Sequence, residues 1–335
     1  MSIQDDLRHL TALSHFSLEQ LEQLAEVTER LEAEDEQAIV RHGDESSQMY
    51  GLIRGALSIE RETPNGTFVL ARLKPGEVFG EANFIDPHVR STDVVTTRRS
   101  DLLVFDSDGL RSLQQKDTKF DIALTWAIWK SISRKLRITT RMLGHFFAGN
   151  EAPADSSSST VSEPKKRGEP FEVDIRAKRD LFLEQDLSHL EANFMASLSQ
   201  EERFAAGETI FREGDPGEKL YFVLDGEVRI SKELPGSGEE ALAILGRGEL
   251  FGEMSLVDGR PRTADALAHE AGADVLVIKA AVLSGILDFE KLSSARLLTV
   301  LCRTVARRLR TLDDKVVGWY MLSGGQSTLI GSSSD

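Results

Sequence analysis

Two short runs concentrate residues able to handle an anion and a hydroxyl together. The fuller one is Phe251-Gly252-Glu253-Met254-Ser255-Leu256-Val257-Asp258-Gly259-Arg260-Pro261-Arg262-Thr263-Ala264-Asp265-Ala266. Its glycines let the backbone come close to a ligand and take a positive φ. Ser255-Leu256-Val257 suits a single helical turn whose N–H groups face an anion. Arg262 offers a planar two-pronged donor for a phosphate, and Glu253 an acceptor for a sugar hydroxyl. A carboxylate and a guanidinium flanking a short turn fit a ligand that carries both a ribose hydroxyl and a phosphate.

The second run is Phe79-Gly80-Glu81-Ala82-Asn83-Phe84-Ile85-Asp86-Pro87-His88-Val89-Arg90-Ser91-Thr92-Asp93-Val94. It keeps the Gly-Glu pair and places Arg90 where the first run has Arg262. The correspondence extends upstream. Ile39-Val40-Arg41-His42-Gly43-Asp44 matches Ile210-Phe211-Arg212-Glu213-Gly214-Asp215, and Tyr50 and Gly55 match Tyr221 and Gly226 at one offset. Order and spacing persist, after a one-residue slip, from there to the two arginines, which marks an internal duplication.

The elements that position these runs follow the same order in each half. A helical opening comes first. Ser17 reads as its cap in one half, with Gln20 three residues on. Short alternating or apolar segments follow, separated by Gly-Asp, Asp-Gly and Pro-Gly pairs; in the later half they fall at 208–212, 219–224, 226–232, 240–245 and 274–278. Many short strands with such turns predict a sandwich or small barrel. Helical periodicity closes each half, over 120–147 and 283–322. Between the halves, residues 152–170 are rich in Ser, Pro and charge and poor in apolar side chains, which reads as a linker. The expected organisation is a first domain over 1–149, a linker over 150–172, a second domain over 173–322 and a flexible tail over 323–335.

The later run resembles the phosphate-binding cassette of the cyclic-nucleotide-binding domain family. Ala206-Gly207-Glu208-Thr209-Ile210-Phe211-Arg212-Glu213-Gly214-Asp215 and Tyr221-Phe222-Val223-Leu224-Asp225-Gly226 extend the likeness to roughly residues 185–320. The resemblance implies a mainly β fold with flanking helices, two double-stranded β-helix (jelly-roll) domains in tandem. It implies that Glu253 holds the ribose 2′-hydroxyl and Arg262 the cyclic phosphate. Gly252, Met254, Ser255, Thr263 and Ala264 would complete the cradle. The matching first-domain set is Gly80, Glu81, Arg90 and Ser91. That cassette departs from the family pattern: Asn83-Phe84 are bulky, Pro87 is expected to interrupt the helical turn, Val89 replaces a proline, and Glu36 stands where the second half has Gly207. The family also implies a C-terminal helix that closes on the pocket. Leu297, Leu301, Val305, Leu309 and Leu312 recur at helical spacing, and Trp319 or Tyr320 could stack on the purine as a lid. In related eukaryotic domains a Thr after the cassette arginine goes with cGMP, whereas bacterial cAMP sensors often carry a hydroxyl residue there. With Thr263 in that place, cAMP is the expected ligand and cGMP the alternative.

Composition narrows the rest. The 335 residues suit two domains, and a hydrophobic fraction of 40% supplies their cores. A net charge of −15 opposes a general nucleic-acid binder. The basic rows Arg303, Arg307, Arg308, Arg310 and Arg134, Lys135, Arg137, Arg141 read as polar helix faces, and Lys165-Lys166-Arg167 as a solvated run. Cys302 is the single cysteine, set in an apolar helical run, so no disulfide framework or cysteine metal site is expected. His42, His88 and His145 lack partners at ligand spacing, and no metal is expected. No nucleophile–base pair or paired carboxylates are legible, so an enzyme is not expected. No leader or membrane span is legible, which points to the cytoplasm, with no membrane partner. No kinase-inhibitory segment is expected before the first domain and no winged helix after the second. The sequence reading is thus a cyclic-nucleotide receptor acting on an unidentified protein partner, with a homodimer left open; the competing reading is an interaction scaffold whose barrels bind no nucleotide.

Overall fold

A computed structural model describes residues 2–148, 168–234, 238–286 and 294–323. Most of the expected linker, including Lys165-Lys166-Arg167, and nearly all of the expected tail lie outside the described residues. Contacts divide the chain into two compact units, residues 1–139 with 305–335, and residues 140–304.

The first unit opens with α1 (Ile3–Arg8), a 3-10 turn (Thr11–Leu13) and α2 (Leu18–Glu26). Ser17 caps α2 as expected: its side chain accepts from the N–H of Gln20, and Gln20 caps back onto Ser17 N–H. Strands β1 (Thr28–Ala33), β2 (Ala38–Val40), β3 (Met49–Thr63), β4 (Gly66–Leu73), β5 (Val78–Phe79) and β6 (Asp93–Phe105) follow, with α3 (Glu81–Ile85) between β5 and β6. They form an antiparallel sheet in the order β1-β6-β3-β4, with β2 on β6 and β5 on β3. Helices α4 (Ser107–Lys116) and α5 (Thr118–Ala148) come after the strands. The core inside the roll gathers Val40, Tyr50, Leu52, Leu57, Phe79, Val94 and Leu102.

The second unit repeats the plan. Helices α6 (Ile175–Leu183) and α7 (His189–Leu198) lead into β7 (Gln200–Phe204), β8 (Thr209–Phe211), β9 (Lys219–Leu234), β10 (Gly238–Leu245), β11 (Leu250–Phe251), α8 (Met254–Asp258), β12 (Asp265–Lys279) and α9 (Ala280–Ile286). The sheet order is β10-β9-β12-β7, with β11 on β9 and β8 on β12. This is the expected fold class, two β-rolls with flanking helices. Along β12, Val275 and Val277 enter the roll core with Phe204, Phe211, Tyr221 and Phe251, while Leu276 and Ile278 are equally buried on the opposite face. The last helix, α10 (Ser294–Leu322), buries Leu297, Leu301, Cys302 and Val305.

Three details differ from the sequence reading. Residues 219–224 and 226–232 are one strand, because the Asp225-Gly226 pair makes a bulge in β9 and not a turn; the pairing with β12 slips there, from Asp225↔Asp274 to Val223↔Val275. Strands β1 and β7 escaped the pattern, since Thr-Glu-Arg-Leu-Glu-Ala and Gln-Glu-Glu-Arg-Phe are edge strands dominated by charge. At the end of the expected linker, Glu169 exchanges two backbone hydrogen bonds with Arg203, whose guanidinium lies 4.4 Å from the centre of the Phe171 ring.

Gly226 has φ +73°, and a Cβ there would stand 2.2 Å from the carbonyl oxygen of Gly272; Gly207 has φ +75° with open space around it. Gly226→Ala should therefore destabilise the second unit by about 2 kcal/mol more than Gly207→Ala, read from urea unfolding of the two variants.

Candidate functional site

The cassette of the second unit is assembled from three strand ends. Tyr221 on β9 and Phe251 on β11 are register partners, and their rings stack at 4.9 Å with 12° between planes. Gly252 follows with φ +83°, which turns the chain from β11 toward α8; a Cβ at this position would lie 2.6 Å from a terminal nitrogen of Arg262. Glu253 and Ser255 then sit at the start of α8, 1% and 5% exposed. Beyond α8 the chain returns through Arg262, tied to the Gly-Asp turn by two backbone bonds: Arg262 N–H donates to Asp215 O and Gly214 N–H to Arg262 O, each at 2.9 Å.

The Arg262 side chain is 5% exposed. Nη1 donates to Gly252 O at 2.5 Å and Nη2 to Lys219 O at 2.7 Å, while Nε is buried without a partner. The guanidinium carbon lies 4.3 Å from the centre of the Phe211 ring and 5.8 Å from that of Tyr221. No ion pair with a carboxylate is formed by Arg262 among the described residues; Glu253 and Asp215 act on it through space. Burial holds its pKa below the usual arginine range, opposed by Tyr221, Glu253 and Asp215. Burial also pushes the Tyr221 hydroxyl up to about 12, against the pull of Arg262. The remaining candidates fall around this pair. Thr263 Oγ1 donates to the sulfur of Met254 at 3.7 Å, and Ala264 is buried at the start of β12.

The first unit reproduces the arrangement more closely than its sequence suggested. Tyr50 and Phe79 are register partners stacked at 4.9 Å. Arg90, 3% exposed, donates to Gly80 O at 3.3 Å and to Gln48 O at 2.6 Å, and its Nε too is buried without a partner. The expectation that Pro87 interrupts the helical turn is corrected: α3 ends at Ile85, before the proline, and spans five residues as α8 does. Glu36 holds φ +55° where Gly207 holds φ +75°, so the turn survives the replacement. Asn83 spends its bulk on a local bond, its Nδ2 donating to His88 O. Three differences remain. Val40 replaces the Phe211 shelf. The Glu81 carboxylate, 1% exposed, already accepts from Lys135 Nζ at 2.5 Å and Ser131 Oγ at 2.7 Å. Ser91 is half-buried, its carbonyl taken by Arg61.

Trp319 and Tyr320 belong to the stretch grouped with the first unit, where the Tyr320 ring packs on Phe68 at 4.5 Å and its hydroxyl donates to Asn65 O at 3.4 Å. In the arginine row on α10, Arg307 and Arg310 pair with Asp86, and Arg303 lies 3.9 Å from Asp186. Sequence reasoning missed Phe211, Gln48, Lys219, Ser131 and Lys135. The repeat offset that pairs Tyr50 with Tyr221 also pairs Gln48 with Lys219, which was the available signal for the two carbonyl anchors.

The cyclic nucleotide-binding domain family matches residues 30–117 and 201–288, together more than half of the chain. The chain belongs to that family and carries two of its domains in tandem. It is similar to the CRP-like cAMP-activated global transcriptional regulator of Mycobacterium tuberculosis, 35% identical over 113 residues, covering 34% of this chain and 48% of that protein. It is also similar to the cyclic AMP receptor protein of Thermus thermophilus, 45% identical over 80 residues, covering 24% of this chain and 37% of that protein. The match thus spans about half or less of these relatives' length. A solved structure of the regulatory domain of Toxoplasma gondii PKA with cAMP aligns at 18% identity over 89% of this chain and 93% of that one, with a TM-score of 0.32. Among the described residues no helix is long and apolar enough to cross a membrane.

One titratable group stands out in the first unit. Thr139 Oγ1 donates to Asp313 Oδ1 at 3.3 Å. Burial pushes this carboxyl up to about 7; Asp314 adds to the rise, while the Thr139 bond, Lys135 and Arg61 oppose it. A carboxyl raised in the folded state weakens that state as pH climbs from the ordinary value near 3.8 to about 7, with no further loss above. Asp313→Asn should raise the melting temperature by about 2 °C or more at pH 8, with the gain vanishing toward pH 4, as read by differential scanning calorimetry across that range.

Proposed function

We propose that this protein is a cyclic-nucleotide receptor, with cAMP as ligand and the second unit as its main site. One observation carries the reading: the Arg262 guanidinium is nearly fully buried, oriented by two carbonyls and an aromatic shelf, with no ion-paired carboxylate and no partner for Nε among the described residues. A buried cation without its anion is costly, and a site that maintains one is built to receive an anion. A cyclic phosphate meets that need at the start of α8, and the adjacent buried Glu253 supplies the acceptor for a ribose hydroxyl. Gly80, Glu81, Arg90 and Ser91 make the corresponding site of the first unit. Matched relatives include cAMP-activated and cAMP-dependent regulators as well as cGMP-dependent protein kinases, so cAMP is the proposed ligand and cGMP the alternative.

In this reading the protein is a regulator and not a catalyst, and the ligand acts by shifting a conformational equilibrium. It favours whichever arrangement of the C-terminal helix it binds better, and so alters affinity for a protein partner. Engagement of Arg303, Arg307 and Arg310 with acids supports a protein partner over nucleic acid. Residues 1–149 and 173–322 are proposed as the sequence extents of the two binding modules, although by contacts residues 305–335 group with the first unit.

Isothermal titration of the full chain with cAMP and cGMP tests the proposal. Arg262→Ala should weaken cAMP binding at the second site about a hundredfold or more, since a charge-assisted contact is worth about 1.5–3 kcal/mol and stranding its partners adds to the loss. Phe211→Ala should weaken it less, about fivefold, through the lost shelf. No heat and no thermal shift at millimolar nucleotide would favour a scaffold whose barrels bind no ligand.

A further inference from the structure

We infer that the binding cleft of the first unit is held shut by the chain's own residues 305–322, which must lift before a cyclic nucleotide can enter; this rests on the receptor reading above. The cleft runs between Gly80, Glu81 and Arg90 on the cassette side and Leu309, Arg310 and Asp313 on the helix side, and the space left is about 100 Å³. Small-molecule sites ordinarily measure about 300 Å³ or more. With these helix residues in place, the space over Gly80, Glu81 and Asn83 falls short of that size, while a groove of about 570 Å³ lies beside it along His88, Arg90 and Ser91.

The segment is fastened at both ends and along its length. At the cassette end Arg310 pairs with Asp86 directly after α3, the two side chains 12% and 14% exposed, and Arg307 joins at 3.2 Å. Burial opposes the charge on Asp86, yet the hydrogen bonds and charges of Arg307 and Arg310 hold its carboxyl below the usual range. At the hairpin between β3 and β4, Asn65 Nδ2 donates to Met321 O at 2.7 Å and Tyr320 packs on Phe68. Between these ends Leu312, Val316 and Val317 are buried. The interior of the cleft is equally committed, because Lys135 occupies the carboxylate of Glu81 that a ribose hydroxyl would need. A ligand that binds only the lifted form sees its affinity reduced by the fraction of time the segment is lifted, so weakening a fastening raises affinity without touching the cassette.

The test uses the full chain with Arg310→Glu, which sets a carboxylate against Asp86, and Tyr320→Ala, which loosens the other end. Arg310→Lys serves as the charge-keeping control. Hydrogen exchange without nucleotide reads the fastening itself: amides of residues 81–86 should lose protection in Arg310→Glu, and those of 63–66 in Tyr320→Ala, with Arg310→Lys close to wild type. In an Arg262→Ala background, which silences the second site, each loosening variant should raise cAMP affinity at least tenfold. Unchanged exchange in both variants would overturn the latch. Exposed amides with unchanged affinity would show that the segment does not occlude the cleft. A fall in affinity would show that it is part of the site. Failure of every variant to bind cAMP would defeat the receptor reading for this unit, while the exchange arm would still decide the latch.

Discussion

A guanidinium buried beside a short helix, in ion-pair contact with no carboxylate among the described residues, ties together the strand ends of the second unit. Arg262 can stay there because two backbone carbonyls, those of Gly252 and Lys219, take its terminal N–H groups and Phe211 lies beneath its plane. Each support requires a particular piece of fold. The Gly252 carbonyl is available because a positive φ turns the chain out of β11. The Lys219 carbonyl is available because β9 begins there. Phe211 is in reach because β8 closes onto β12, and Arg262 itself is tied to the Gly214-Asp215 turn by a reciprocal pair of backbone bonds. The roll is the frame that brings these ends together, and it leaves the buried Nε of Arg262 without a hydrogen-bond partner.

The duplicated unit shows how far that arrangement survives change. Around Arg90 the carbonyl anchors, the stacked Tyr–Phe pair and the unpartnered Nε persist, although Val40 has replaced the aromatic shelf. What differs is the neighbourhood. Lys135 and Ser131 claim Glu81, and the end of the last helix claims Asp86. Two cassettes of nearly the same inner geometry thus differ in the residues that surround them.

Much of this was legible in the residues, for identifiable reasons. The glycines and the Gly-Glu and Arg positions could be read because backbone conformation and charge restrict residue choice tightly, so spacing alone exposes the duplication. Short strands and turn pairs pointed to a sandwich or small barrel, and the roll itself came from the family resemblance. The charged edge strands β1 and β7 were hidden because a strand with one buried face and many charges carries little alternation. The Asp225-Gly226 bulge mimicked a turn because both need a positive φ. Pro87 misled because its effect depends on where α3 ends, and local sequence does not fix that. Least visible of all were the anchors: a carbonyl is contributed by any residue type, so Gln48 and Lys219 carried no signature, and the commitment of Tyr320 to Phe68 depends on residues far apart in the chain.

The central claim is that the Nε–H of Arg262 is kept for a ligand's cyclic phosphate. Nitrogen–proton correlation spectra of the full chain, with the arginine side chains labelled and Arg262 assigned by substitution, report on that group directly. The account predicts that saturating cAMP shifts the Arg262 Nε–H resonance and slows its exchange with water. A resonance that keeps its position and exchange rate when nucleotide is bound would contradict it.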